Sequence, residues 1–374
     1  MDALPASQFH LTVMGINCNA SRSRILCLWN HFIRITTVTI LVSLICFQIY
    51  GIIFLDNILI LNISVTCLFT FLLSNYILMF ARTERLFVLL ETAVRKMDRG
   101  IVLKVQSYDK RHSTISFVII VIEMIFMVYG CMVGVEVSAI PFGFNYSISF
   151  PFLMVMLPIG LWTLYLYIFL MHFYQSVLFI TLQVAEQTRR QLMKSEMSGD
   201  PDYDTMRRSL EWYNLLMHRV NEDLGLLPFS LLAMEFVEFA TGISYLVTSS
   251  NRLEISPQMA YLSSGGMSLL FVKMFIQLVE LAHRSRNSII RAWKIAEECV
   301  ADPMTHRYSK EKAMRTRRAL KFFLITESVV PAKAGDNIVI NRSLILNFFN
   351  QLIPFTVMMF TTLKEFDRNH KLTR

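Results

Sequence analysis

The chain has 374 residues and a mass of 43.4 kDa; 54% of its residues are hydrophobic, 17% are charged, and mean hydropathy is +0.47. A soluble domain is less apolar and more charged, so these values point to an integral membrane protein. The excess of 36 Lys+Arg over 28 Asp+Glu gives a net charge of +8; in such a chain it bears on topology and not on nucleic acid.

The opening residues, MDALPASQFHLTVMGINCNAS, lack a basic start followed by an apolar core, so no cleavable signal is expected and the first span serves as an anchor. Seven apolar runs are long enough to cross a bilayer: Ile33–Leu55, Ile58–Phe80, Ile115–Val137, Phe150–His172, Leu224–Val247, Met259–Leu281 and Ser343–Leu363. The pair Asp56-Asn57 divides the first two. Basic residues load every second connector. Arg82, Arg85, Arg95, Lys96, Arg99, Lys104, Lys110 and Arg111 follow the second span, and none lies between Ser138 and Ser149. The connector after the fourth span is basic, the next holds only Arg252, and the one after the sixth is the most basic of all. The positive-inside rule then predicts an all-α, polytopic protein of seven membrane helices, with a cytoplasmic N-terminus and an extracellular C-terminus.

The glycosylation sequon at Asn145 falls in a predicted outer connector, whereas those at Asn62 and Asn341 fall in or beside spans. None of the six cysteines lies in an outer connector, so no outer disulfide is expected. The cytoplasmic connectors read as helical extensions, residues 173–223 and 282–337. In the first, Leu210, Tyr213, Leu216 or Met217, and Val220 form an apolar stripe that needs a cover, either within the chain or on another subunit.

The last run, residues 338–366, is amphipathic in an unusual way. Asn347, Gln351, Pro354, Met358, Thr361 and Glu365 share one face, and Phe348, Leu352, Phe355, Met359 and Leu363 share another. Inside a membrane the polar face must meet neighbouring helices or water, so it either bonds to other helices or lines a pore. Charges within spans also need partners, and a buried pair is expected among Glu123, Glu235 and Lys273, its role register, gating or ligand binding. Tyr129, Phe152, Trp162, Thr241, Ser244 and Tyr245 mix aromatic walls with polar anchors; they suit a small-molecule pocket or an interfacial aromatic belt. Phosphate loops, zinc pairs and nucleophile elbows are absent from the sequence, so no enzyme, metal or cofactor is expected.

The layout, and the segment AGDNIVINRSLILNFFNQLIPF, resemble the arthropod gustatory receptor family within the insect gustatory/odorant chemoreceptor superfamily. The resemblance rests on a short turn, a hydrophobic stretch and an Asn-Arg-Ser approach to the last helix. The family's Thr-Tyr, five hydrophobic residues and Gln-Phe correspond here to Pro354-Phe355, Thr356 to Phe360 and Thr361-Thr362; the spacing and one aromatic match. The resemblance implies a plasma-membrane taste receptor that opens as a ligand-gated, non-selective cation channel when a small-molecule tastant binds. It implies a homo- or hetero-tetramer whose last helices line the pore through Asn347, Gln351, Met358, Thr361 and Glu365, with the cytoplasmic extensions as anchor. An odorant-receptor-type subunit is the nearest alternative. A G-protein-coupled receptor would need an outer N-terminus, and a small transporter would work without a shared axial pore.

Overall fold

The computed structural model describes residues 4–16, 24–54, 59–132, 150–197, 203–234, 236, 272–291 and 329–372. The helices among these residues are α1 (Pro5–Val13), α2 (Arg24–Phe54), α3 (Leu59–Arg95), α4 (Arg99–Met132), α5 (Phe150–Met197), α6 (Tyr203–Leu224), α7 (226–234), α8 (272–291) and α9 (Arg342–Leu372). Each of the seven predicted spans is helical over at least part of its length. Three helical stretches among the described residues are long and apolar enough to cross a membrane: Arg24–Tyr50, Thr66–Arg95 and Leu157–Arg190. The chain is thus a mostly helical protein of membrane type.

Helix α5 is the axis of the fold. Every residue from Leu166 to Leu178 is buried, so the helix is covered on all sides. Helices α3, α4 and α6 pack around it, and α2 lies against α3. Much of α2 is exposed, through Ile25, Leu28, Phe32, Ile35 and Ile53 among others, as expected of a helix facing lipid. Several helices run past their predicted spans: α3 continues to Arg95, α5 to Met197, and α4 starts at Arg99. The α6 stripe has its cover within the chain, for Leu210, Tyr213, Leu216, Met217 and Val220 are all buried.

Two elements are additions to the expected plan. Strands β1 (Lys333–Ala334) and β2 (Ile338–Val339) pair antiparallel just before α9, a small departure from an all-α chain. Their turn begins at Gly335, whose φ of 64° is strained for any residue with a Cβ. The other addition is α1, which packs on α4 and α5. It has Pro5 in its first turn and ends on Gly15 at φ 76°. The Gly15 N–H donates to the Thr12 carbonyl and the Ile16 N–H to the Leu11 carbonyl, the paired bonds of a Schellman motif.

Candidate functional site

The last helix is mounted before it is faced. Asn221, near the end of α6, donates its side-chain amide to the Pro331 carbonyl (2.9 Å) and accepts the Lys333 N–H (3.0 Å). The Gly335 N–H donates to the carbonyl of Gly225, the residue at which α6 gives way to α7 (2.6 Å). Asn214 accepts the Val330 N–H (3.1 Å). The hairpin is therefore fixed to the α6–α7 junction through directional bonds, and it hands the chain to α9. There Asn341 serves as N-cap, its side-chain oxygen accepting the Leu344 N–H (3.3 Å). Arg342 then grips Glu280 of α8 with two parallel bonds, Nε to Oε1 (3.0 Å) and a terminal nitrogen to Oε2 (3.2 Å).

Above this mount, α9 has two unlike faces. Phe348 and Leu352 are buried. Phe348 meets Phe275 at 4.6 Å and Phe236 at 5.6 Å, and Phe355 meets Phe236 at 5.0 Å. On the other side Asn347, Gln351, Met358 and Thr361 are exposed in the single chain, together with Leu346, Ile353 and Val357. Thr361 turns its hydroxyl back to the Met358 carbonyl (2.8 Å). The exposed surface is thus a mixed polar and apolar strip. The Glu365 side chain lies outside the described set, as do those of Tyr129, Phe152 and Glu123. Asn145, Glu235, Thr241, Ser244 and Tyr245 lie outside the described residues altogether.

Two of the remaining sequence candidates have definite surroundings. Trp162 is half-buried, donates its indole N–H to Thr37 (3.1 Å) and stacks on Tyr165. Lys273 is exposed on α8, next to Met274, whose carbonyl accepts the Gln175 amide of α5 (2.9 Å). No group of three or more His, Cys, Asp or Glu among the described residues is arranged to hold a metal ion.

A buried polar node under the bundle was not foreseen. The Asp109 carboxylate of α4 accepts the Ala6 N–H (2.8 Å) and Ser7 N–H (3.1 Å) at the start of α1, and it accepts the Ser7 hydroxyl as well. It also takes His172 Nε2 (3.2 Å) and the Ser176 hydroxyl (3.2 Å) from α5. The N-cap residue of α1, Leu4, offers no side-chain cap, and Asp109 supplies one from another helix. Burial alone would raise its pKa, but His172 and Ser7 outweigh that and hold the carboxyl below its usual value. His10, one turn along α1, bonds to Tyr165 (3.0 Å) and Ser113 (2.6 Å) and stacks on Phe169. Burial, then the neighbouring His172, lowers its pKa to about 4. The Tyr76 hydroxyl and Arg34 fasten the far end of the segment by donating to the carbonyls of Met14 (2.7 Å) and Gly15 (2.7 Å). Pro5 and Gly15 were the readable signals for this helix; nothing local could announce its distant acceptor.

With this geometry the chain superposes on a solved receptor along its whole length. The insect olfactory receptor OR5 from Machilis hrabei, solved in complex with eugenol, matches with a TM-score of 0.68 over 96% of this chain and 97% of that one. Its fold is that of an insect olfactory receptor. A second structure of OR5 matches with a TM-score of 0.63 over 95% and 96% of the two chains. Sequence identity is only 10% and 11%, so the insect olfactory receptor fold is shared while few side chains are. No family model and no curated protein matches the sequence.

Proposed function

We propose that this chain is a subunit of a chemosensory receptor that acts as a ligand-gated cation channel in the plasma membrane, with α9 lining the pore. The observation that carries the reading is the end-to-end likeness to the olfactory receptor OR5, at a TM-score of 0.68. The division of α9 supports it: its aromatic face is packed on its own chain, and Asn347, Gln351, Ile353 and Val357 on the other side are exposed in the single chain. The subunits assemble as a tetramer, homomeric or mixed, around those mixed faces. A small organic molecule opens the pore. The Asn-Arg-Ser approach to α9 favours a gustatory ligand, whereas the solved neighbours favour the odorant-type reading.

Whole-cell current during a ligand screen, with eugenol among the first compounds, tests the class. Gln351→Cys and Thr361→Cys should react with a water-soluble thiol reagent and block that current, and Phe348→Cys and Leu352→Cys should not. Glu365→Gln should reduce cation conductance, most at low salt, where screening is weakest. Equal labelling of both faces would return α9 to a packing role.

A further inference from the structure

One line of side chains along α4 changes character midway. Lys104 and Arg111 are exposed, and at helical steps beyond them so are Ile115, Val118, Ile122 and Ile125. A basic end followed by an apolar stripe is the pattern of a helix leaving the membrane surface and entering hydrocarbon. Helix α8 brings a further cation to the same height. His172 bonds Asp109 of α4, and Gln175, one turn further along α5, bonds the carbonyl of Met274. Lys273 therefore stands level with Asp109–His112. Its charge and that of Arg111 both reach His112, whose pKa is lowered to about 4 by burial first and then by His172, Arg111 and Lys273.

No carboxylate among the described residues pairs with Arg111 or Lys273. Asp109 is buried and already accepts from Ala6, Ser7, His172 and Ser176. Glu280, two turns along α8, is held by Arg342 and Arg284. Cations from two helices thus stand at one height, at the edge of an apolar stripe, with no described protein anion to answer them. We propose that Arg111, His112 and Lys273 bind the phosphate of an anionic phospholipid of the cytoplasmic leaflet, its acyl chains lying along Ile115, Val118, Ile122 and Ile125. The leaflet rests on the membrane orientation expected from the sequence. The guanidinium fork suits two phosphate oxygens, the ammonium adds a point charge, and the imidazole contributes a third donor. The anion would also relieve the like-charge crowding around His112.

The test uses the full chain in vesicles of phosphatidylcholine with a minor share of phosphatidylserine. The protein is re-extracted gently, and the lipid that stays with it is measured by mass. Phosphatidylserine should be enriched several-fold over its bulk share on the wild type. The enrichment should vanish in Arg111→Gln/Lys273→Gln and survive in Lys273→Arg. Arg85→Gln/Arg99→Gln removes the same charge from exposed positions on the same side and should leave it intact. No enrichment on the wild type, or equal loss in both double variants, overturns the site. Displacement by inorganic phosphate as readily as by phosphatidylserine overturns its assignment to a lipid. Ion flux plays no part, so a failed channel reading leaves the result standing. An N-terminal epitope tag scored for sidedness on intact and permeabilised cells detects an inverted topology, which would overturn the leaflet.

Discussion

Asp109 is the side chain on which most of the buried polarity converges, and its replacement should be felt at once. Asp109→Ala strands the Ser7 hydroxyl, His172, Ser176 and two backbone N–H groups in a closed site. Buried donors left unmatched beside a lost charge cost about 3 kcal/mol or more. A clear fall in the thermal midpoint of the purified protein is expected, with partial recovery in Asp109→Asn, which keeps an acceptor oxygen. Acid should act on the same seat through His10, which titrates near 4 in the folded chain against an ordinary value of 6.5. The undocked state therefore takes up protons first; the stability is complete above pH 6.5 and drains away as pH falls toward 4. Hydrogen exchange across residues 4–16 should quicken between neutral pH and about pH 5. Exchange that is flat with pH would show that this imidazole is not coupled to docking.

Among the elements, the long helices could be read from the chain because length and apolar content suffice for them. The extension of α5 from Phe173 through Met193 and the helix from Tyr203 were also legible, since apolar residues recur there without a breaker. The α9 mount was only half legible. A turn at Gly335 was visible, but Asn221 lies far back in the chain and its bonds have no local signature. Asn221→Ala removes two bonds to the hairpin and should cost about 1–2 kcal/mol locally. Faster exchange over residues 332–340 should follow, and, in a conducting protein, a smaller maximal current at unchanged surface expression. Gly335→Ala should act in the same direction by about 1 kcal/mol through its positive φ. The Arg342–Glu280 pair is more exposed, so a double-mutant cycle there should give under about 1 kcal/mol.

For the molecule as a whole, the first question is what the mixed face of α9 touches. The α6 stripe is not the answer, because Leu216 and Val220 are already buried within the chain. Replacing both with Asp should prevent folding and not merely disperse subunits. Native mass measurement in mild detergent should give four copies; a monomer or dimer would favour a transporter. The amino-terminal segment has a consequence of another kind, for the order in which the protein is made. Residues 4–16 leave the ribosome before the residues that seat them, Tyr76, Asp109, Ser113, Tyr165, Phe169 and His172. The opening segment must wait, unpaired, until α5 has been synthesised and threaded beside α4. Only a chain with those helices in their proper places can receive it. Deletion of residues 4–16 should therefore leave early insertion untouched and surface instead as a late defect, with completed chains held back at the quality-control step of biogenesis.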